Sequence, residues 1–230
     1  MAARRRLPAG ARARAPIVVE RLGREYPDAT TALEYGTPLQ LLVSVILSAQ
    51  TTDERVNAVT PALFSKYRTA EDFASAPQAE LEEMIRPTGF FRSKARAIRE
   101  MSQDLVRLHG GEVPPRMEDL VKLRGVGRKT ANVVLGVAFA VPGLAVDTHV
   151  TRLARLLGLT AAHDPVKIEQ DVCSIVPPSE WSALGLRLIL HGRRVCIARR
   201  PRCPQCVLVD ICPSAYLGLG PAVKRPMRKR

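Results

Sequence analysis

The chain has 230 residues, of which 46% are hydrophobic and only 4% aromatic, and its formal net charge is +13. This length is enough for one or two domains with real cores, and the aliphatic composition favours a helical protein. Because no run of eighteen apolar residues occurs, we expect no membrane span.

The positive charge is concentrated at the two ends. Residues 1–16 contain five Arg, residues 213–230 contain five Lys or Arg, and neither segment has an acidic residue. We predict two basic, flexible tails that make loose, salt-sensitive contact with nucleic acid; the alternative is that they only improve solubility. Residues 1–16 lack the apolar segment of a secretory signal. We therefore expect an intracellular, cytoplasmic protein, with organelle targeting as the alternative.

Helical patterns follow one another along the chain with short turns between them. Apolar spacing predicts a first helix at 16–26, and Pro38 begins a helix that is apolar nearly all round and should be central. Thr52 or Asp53 could cap the helix that follows. The further predicted helices are 55–67, 71–74, 78–85, 92–109, one from 128 onward, 149–157, 165–176 and 181–197. No strand pattern or internal repeat is evident, so we predict an all-α fold.

A glycine-containing hairpin between two helices is predicted at 123–131, with the sequence Leu-Arg-Gly-Val-Gly-Arg-Lys-Thr-Ala. Glycines on both sides of Val126 permit a tight turn with positive φ. The backbone N–H groups of Gly125, Val126 and Gly127, and the positive end of the following helix, then form an anion site. The anion we expect is a DNA phosphate, because such a unit requires no particular base.

Lys129 lies near the start of the helix after the hairpin. A simple phosphate contact or a solvated charge would each explain a lysine there. Asp147 follows 18 residues later, in Val-Asp-Thr-His. A chain that turns back at Pro142–Gly143 would return Asp147 toward Lys129, which favours a functional pair. The alternative for Asp147 is an N-cap of the next helix.

Four of the five cysteines, Cys196, Cys203, Cys206 and Cys212, have the spacing C-x6-C-x2-C-x5-C. In an intracellular chain such a group indicates metal binding rather than disulfides. Zinc and a 4Fe-4S cluster both accept four cysteines, but a single C-x-x-C pair inside wider spacings favours the cluster. Cys173 lies alone in an apolar helical pattern and is predicted to be a core residue.

The motif LxGVGRKTAN (with Arg124 at x) followed by VDTH is similar to that of the helix-hairpin-helix DNA glycosylases, and most of all to the endonuclease III family. The resemblance extends from about Pro38 to Cys212 and implies a two-lobed fold with DNA between the lobes. One lobe is expected at 38–133; the other joins 17–37 to 134–212. The same resemblance implies a 4Fe-4S cluster on the four cysteines.

In that family the lysine of GVGRKT is the nucleophile and the aspartate of VDTH is its carboxylate partner. The resemblance therefore implies these catalytic roles for Lys129 and Asp147. One departure is visible, because the family usually has Pro where this chain has Arg124. Arg124 should change either the rigidity of the hairpin or the grip on DNA.

The resemblance also implies DNA contacts. Gln50, in a Leu-Ser-Ala-Gln turn, and Phe90, after Gly89, match the family positions that fill the gap left by a flipped-out base and wedge the opened step. The alternatives are a helix C-cap for Gln50 and a core aromatic for Phe90. A loop pinned by the cluster would present arginines to phosphates, unless that loop is simply solvated. The remaining expected contacts are Gly125, Val126, Gly127, Arg128, Thr130, His149, Arg199, Arg200 and Arg202.

The expected function is that of a bifunctional DNA glycosylase and abasic-site lyase that acts as a monomer on damaged double-stranded DNA. By resemblance, it removes oxidised or ring-saturated pyrimidines. One alternative is a relative of the adenine glycosylases, which generally have Ser in place of Lys129 and a further C-terminal domain. The other is a non-catalytic or narrowed DNA-binding iron–sulfur protein, which would not require the pair of Lys129 and Asp147.

Overall fold

The computed structural model describes residues 7–217. Residues 1–6 and 218–230, which hold most of the two predicted tails, lie outside this range. The described part contains eleven α-helices and no strand, which confirms the all-α prediction. None of these helices is both long enough and apolar enough to cross a membrane. The helices are α1 (Ala11–Glu25), α2 (Pro38–Leu47), α3 (Asp53–Lys66), α4 (Ala70–Ser75), α5 (Gln78–Ile85), α6 (Phe91–His109), α7 (Met117–Leu120), α8 (Arg128–Ala138), α9 (Thr148–Leu156), α10 (Pro165–Cys173) and α11 (Trp181–Arg194).

Local capping explains where several helices begin. Helix α2 has Pro38 at its first position, where a missing N–H costs nothing, and the Thr37 hydroxyl accepts a hydrogen bond from the Gln40 N–H. Helix α3 has Thr52 as its N-cap, as one of the two predicted candidates. The predicted start of α2 at Pro38 and the predicted bounds of α5 are confirmed, because proline at or just before the first turn is a signal that the sequence states directly.

Helix α1 begins at Ala11, so the prediction that residues 1–16 form a flexible tail is wrong for residues 11–16. Ala11 and Ala15 are buried. Arg14 donates from Nε to the Leu157 carbonyl and from Nη2 to the Gly158 carbonyl, each at 2.9 Å. These carbonyls lie at the C-terminal end of α9, where a cation is favoured. The basic composition suggested solvated arginines, whereas Arg14 has a partner far away in the sequence.

The chain folds into two compact units. The first comprises residues 31–143 and holds α2 to α8; the second comprises residues 7–30 and 144–217 and holds α1 and α9 to α11. The predicted lobes placed their boundary at 133/134, inside α8. The observed boundary follows Gly143 instead, because α8 and the segment after it pack together: a Cβ on Gly143 would lie 2.5 Å from Asn132 Oδ1.

Helix α2 is the centre of the first unit, as predicted from its apolar sequence. Leu41, Leu42 and Leu47 are fully buried, and α2 packs against α3, α6 and α8. In the second unit, α11 packs against α1 and α9, with Leu22, Leu153 and Leu188 in its core. Cys173 packs against that core, which confirms its predicted role.

The hairpin between α7 and α8 requires glycine at one position, not two. Gly125 has φ of 79°, and a Cβ there would lie 3.1 Å from the Ala97 Cβ on α6. Gly127 has φ of −87°, and a Cβ there would meet nothing within 4 Å. Val126 between them is buried. The positive φ that the glycines permit is therefore found at Gly125, and the fold itself does not demand glycine at 127.

Arg124 fixes the entrance of this hairpin to α6. Its backbone N–H and its Nε both donate to Asp104 Oδ2, at 3.0 and 2.9 Å. Arg107 Nη2 donates to Asp104 Oδ1 at 3.0 Å. The Asp104 side chain is only 3% exposed. Arg124 thus links the entrance of the hairpin to α6, and its charge is paired with Asp104.

The hydrogen bond from the Arg124 side chain lowers the pKa of Asp104 from 3.8 to about 2, with further help from the Arg124 N–H and Arg107 and against the opposing effect of burial. The folded-state pKa is below the unfolded value. The carboxylate therefore stabilises the fold fully above pH 3.8, and this contribution is lost as the pH falls toward about 2. Its size is on the order of 2 kcal/mol.

We predict that Asp104→Asn lowers the free energy of unfolding at neutral pH and that this deficit shrinks between about pH 4 and pH 2. Urea unfolding of both proteins across that range measures it. Asp28→Asn, at an exposed aspartate, is the matched control and should change the free energy of unfolding by less than about 0.5 kcal/mol. A deficit of the same size at every pH would mean that the Asp104 charge does not stabilise the hairpin.

Candidate functional site

The first turn of α8 presents basic side chains next to the hairpin. Gly127 is the N-cap and offers no side chain, and the first turn contains no acidic residue. Arg128 and Lys129 are exposed, and Thr130 is half-buried. Lys129 lies outside the buried stripe of α8, which runs through Ala131, Asn132, Val134 and Leu135.

Asp147 is the N-cap of α9, as the structural alternative for this residue predicted. Its Oδ1 accepts a hydrogen bond of 2.8 Å from the Val150 N–H. The side chain is half-buried. Lys129 lies in the unit of residues 31–143 and Asp147 in the other, and the pairing of the two stays a prediction. The cap bond nevertheless orients the carboxylate, so a capping role and a chemical role are compatible.

His149 follows on the first turn of α9 and packs against α11. A Cβ on Gly192 would lie 2.8 Å from His149 Nδ1, so glycine is what permits this close approach. Burial lowers the pKa of His149, in spite of the nearby Asp147. Arg152 Nη2 reaches over to the Gly192 and Cys196 carbonyls, at 3.1 and 2.8 Å. Sequence reasoning missed Arg152, which ties α9 to the start of the cysteine segment.

Gln50 and Phe90 occupy two strained turns of the first unit. Gln50 has φ of 55° and Phe90 has φ of 47°, a backbone region that costs a non-glycine residue roughly 1–3 kcal/mol. Phe90 is 65% exposed, so the alternative of a core aromatic is wrong. The C-cap of α2 is Ser48, so the C-cap alternative for Gln50 is wrong as well. Both side chains are exposed, as contact with a partner requires.

The four cysteines line one pocket of the second unit. Much of the remaining lining is apolar, including Leu153, Leu157, Val195 and Val209. Within residues 7–217, no three His, Cys, Asp or Glu side chains converge closely enough to hold a single ion.

His191 is a further residue at this pocket that the sequence did not single out. It is 2% exposed; its Nε2 lies 3.3 Å from Cys206 Sγ and its Nδ1 lies 3.1 Å from the Tyr26 hydroxyl. Burial lowers the pKa of His191 to about 4 and raises that of Cys206 to about 11. Burial also raises the pKa of Cys196 and of Cys212. Burial thus favours the neutral thiol at these three cysteines, and a bound cationic centre would favour their thiolate form.

The segment between Cys196 and Cys203 carries the three predicted arginines. Arg199, Arg200 and Arg202 are all exposed. The Arg202 N–H donates to the Val195 carbonyl at 2.9 Å, so the segment closes back on the end of α11. Their exposure agrees with a phosphate-binding role, and the DNA contacts themselves stay a prediction.

Comparison with known proteins gives a consistent result. The family model for HhH-GPD superfamily base excision DNA repair proteins matches residues 43–178. Endonuclease III of Synechocystis sp. is 53% identical over 195 residues, which cover 84% of this chain and 89% of that protein.

Solved structures agree with this family match. A non-covalent endonuclease III–DNA complex superposes with a TM-score of 0.84 and 42% identity, covering 89% of this chain and 96% of that chain. A trapped endonuclease III–DNA covalent intermediate superposes with a TM-score of 0.85 and 43% identity, covering 89% of this chain and 97% of that chain. Because the family model matches more than half of the sequence and the Synechocystis relative most of it, this chain belongs to the HhH-GPD superfamily of base excision DNA repair proteins.

Proposed function

We propose that this protein is a bifunctional DNA glycosylase and abasic-site lyase of base excision repair. The observation that carries this proposal is its identity to endonuclease III over most of both chains. Its substrate is damaged double-stranded DNA, from which it removes oxidised or ring-saturated pyrimidines. Its curated relatives include bacterial proteins, so we place its work at the bacterial nucleoid.

In the mechanism we propose, the Lys129 amine attacks C1′ of the damaged nucleotide. The Nζ–C1′ bond forms as the C1′–N glycosidic bond breaks, and the base leaves with a proton. The C1′–O4′ bond of the sugar ring then breaks, a proton passes from Nζ to O4′, and an imine forms between Nζ and C1′. This imine acidifies C2′, so loss of a C2′ proton breaks the C3′–O bond and nicks the strand 3′ to the lesion. An exposed Lys129 at the start of α8 supports this role, because the attacking amine must reach the DNA backbone.

Asp147 stabilises the positive charge that develops at C1′ in the transition state. Its cap bond to the Val150 N–H supports this role, since a carboxylate held in one orientation needs no reorganisation during the reaction. The aspartate therefore serves the helix and the chemistry with the same side chain.

We predict that Lys129→Gln abolishes borohydride cross-linking to DNA with an abasic site, because the amide cannot form an imine. DNA binding should persist, since the hairpin is unchanged. Denaturing gel electrophoresis after borohydride treatment measures the cross-link. Cross-linking at the wild-type level would assign the nucleophile to another residue.

Asp147→Asn is the matched variant for the same assay. Asparagine caps a helix as well as aspartate does, so the free energy of unfolding should change little while the cleavage rate falls roughly a hundredfold. If Asp147→Asn lowers the free energy of unfolding as well as the cleavage rate, Asp147 acts only as a helix cap.

The hairpin binds a DNA phosphate through its backbone in our proposal. The open space in front of Gly127 supports this, because a glycine that the fold does not need leaves room for a close-approaching ligand. The lack of acidic residues in the first turn of α8 supports it as well.

We predict that Gly127→Ala keeps the free energy of unfolding within about 1 kcal/mol of wild type but weakens DNA affinity. The salt dependence of binding should fall by about one phosphate contact. Gly125→Ala is the control with the opposite pattern. It should unfold more easily, since its positive φ costs roughly 1–2 kcal/mol and Ala97 lies against the new methyl group. Wild-type affinity in Gly127→Ala would place the phosphate elsewhere.

We further propose that Cys196, Cys203, Cys206 and Cys212 hold a 4Fe-4S cluster. Their placement around one pocket supports this, because a cubane needs its ligands farther apart than a single ion does. The bound cluster supplies a structural link between the segment after α11 and the residues up to 212. Arg199, Arg200 and Arg202 would then be presented to phosphates from a segment fixed at both ends.

We predict that anaerobically purified protein contains about four iron and four sulfide per chain and is yellow-brown. Cys203→Ser should give less soluble protein, whereas Arg200→Ala should keep the colour and weaken DNA binding. Elemental analysis and absorbance measure the iron and sulfide content, and DNA binding at several salt concentrations measures the effect of Arg200→Ala. Stoichiometric zinc without iron would overturn the cluster while leaving the Lys129 chemistry in place.

A further inference from the structure

Lys94, in the first turn of α6, lies between the turns of Gln50 and Phe90. It is only 4% exposed. Its Nζ donates to the Leu47 carbonyl at 2.8 Å and to the Thr88 carbonyl at 2.7 Å. Leu47 is the last residue of α2, three residues before Gln50, and Thr88 precedes Phe90 by two. One buried cation therefore bridges the two turns.

The energetic cost of this arrangement argues for a specific role. Removing an ammonium group from water costs several kcal/mol before its hydrogen bonds are counted, and burial lowers the pKa of Lys94. If the site only needed filling, an apolar side chain of the same length would do so without that penalty. What an apolar side chain cannot do is donate two hydrogen bonds at once.

The two acceptors need such a donor. The Leu47 carbonyl lies in the last turn of α2, where carbonyls lack an intrahelical partner. The Thr88 carbonyl precedes Gly89, whose φ is 67°, so the chain leaves the helical direction there. The Thr88 hydroxyl is anchored to the Ile85 carbonyl at 2.8 Å, and the Lys94 N–H donates to the Phe90 carbonyl at 3.1 Å.

The turns themselves are strained. Gln50 and Phe90 both have left-handed backbone conformations, which persist only where the surroundings fix them. A protein that flips a nucleotide out of DNA needs its gap-filling and wedging side chains at a defined separation, because both act on the same opened base step.

We propose that Lys94 is a positioning residue that sets the separation of the Gln50 turn and the Phe90 turn, so that both side chains engage the same flipped nucleotide. This inference rests on the proposed function, since the roles of Gln50 and Phe90 belong to it. Lys94 itself does not contact DNA; it acts through the backbone of both turns.

The test is Lys94→Met, which keeps the apolar stem and removes the donors. We expect cleavage of a damaged base in duplex DNA to fall at least about tenfold, the equivalent of about 1.4 kcal/mol. Cleavage of an abasic site in single-stranded DNA, where no stack must be opened, should stay within roughly twofold. Equal losses on both substrates would overturn the inference.

Two controls separate positioning from general destabilisation. Leu105→Ala, at a buried residue in the C-terminal half of α6, should lower the free energy of unfolding but keep the duplex to single-strand ratio of wild type. The double variant Lys94→Met with Phe90→Ala should show no larger change in this ratio than Phe90→Ala alone, because residues that act through one another are not additive. If the two substitutions lower the ratio independently, so that the factor for the double variant is the product of the two single factors, the inference is overturned.

The single variants Gln50→Ala and Phe90→Ala test the roles of Gln50 and Phe90 separately from the positioning role of Lys94. If neither changes the ratio, the proposed roles of Gln50 and Phe90 fail. If they change it and Lys94→Met does not, only the inference about Lys94 fails. Should Lys94→Met not fold, Lys94→Arg keeps a cation but displaces its donors, and it should lower the same ratio by a smaller factor. A wild-type ratio in Lys94→Arg would overturn the inference.

Discussion

Helix α6 (Phe91–His109) positions the parts of the first unit that face DNA in the proposed mechanism. Lys94, Ala97, Met101 and Asp104 are spaced by three or four residues and therefore lie on one face of the helix. Lys94 holds the turns of Gln50 and Phe90, Ala97 leaves room for Gly125, and Asp104 holds Arg124. The Gln50 turn, the Phe90 turn and the hairpin are thus all positioned by contacts with one helix. A displacement of α6 would move all of them together, and a change at one position would disturb one loop relative to the others.

The contacts that this arrangement offers to DNA fall into two kinds. The hairpin offers backbone groups, which recognise phosphate and are indifferent to base sequence. Gln50 and Phe90 offer side chains, which suit the gap and the opened step at a flipped base. A repair enzyme needs both, since damage occurs in every sequence context while only the damaged nucleotide is turned out. The cost is borne by strained backbone at Gln50 and Phe90 and by a buried cation at Lys94.

The sequence predicted the features whose signals are local. Proline and threonine at the start of α2, the Gly-x-Gly hairpin and the cysteine spacing all depend on neighbours within a few residues. The features that were missed depend on distant partners. Arg14 belongs to a helix because of carbonyls in α9, and Lys94 and Asp104 are buried because of loops elsewhere in the fold. A charged residue with a remote partner looks like a surface residue in a sequence.

The connectivity of the second unit has a consequence for synthesis on the ribosome. Helix α1 leaves the ribosome before α9 and α11, yet its residue Leu22 packs in a core that these two helices complete. The acceptors of Arg14 likewise lie at residues 157 and 158. The unit of residues 31–143 is continuous in sequence and can fold as soon as it has emerged. Helix α1 must then wait, with its apolar face uncovered, until more than a hundred further residues have been made. Nascent chains that stall after residue 143 would therefore combine a folded unit with an exposed amphipathic helix, which is the kind of species that chaperones and proteases recognise.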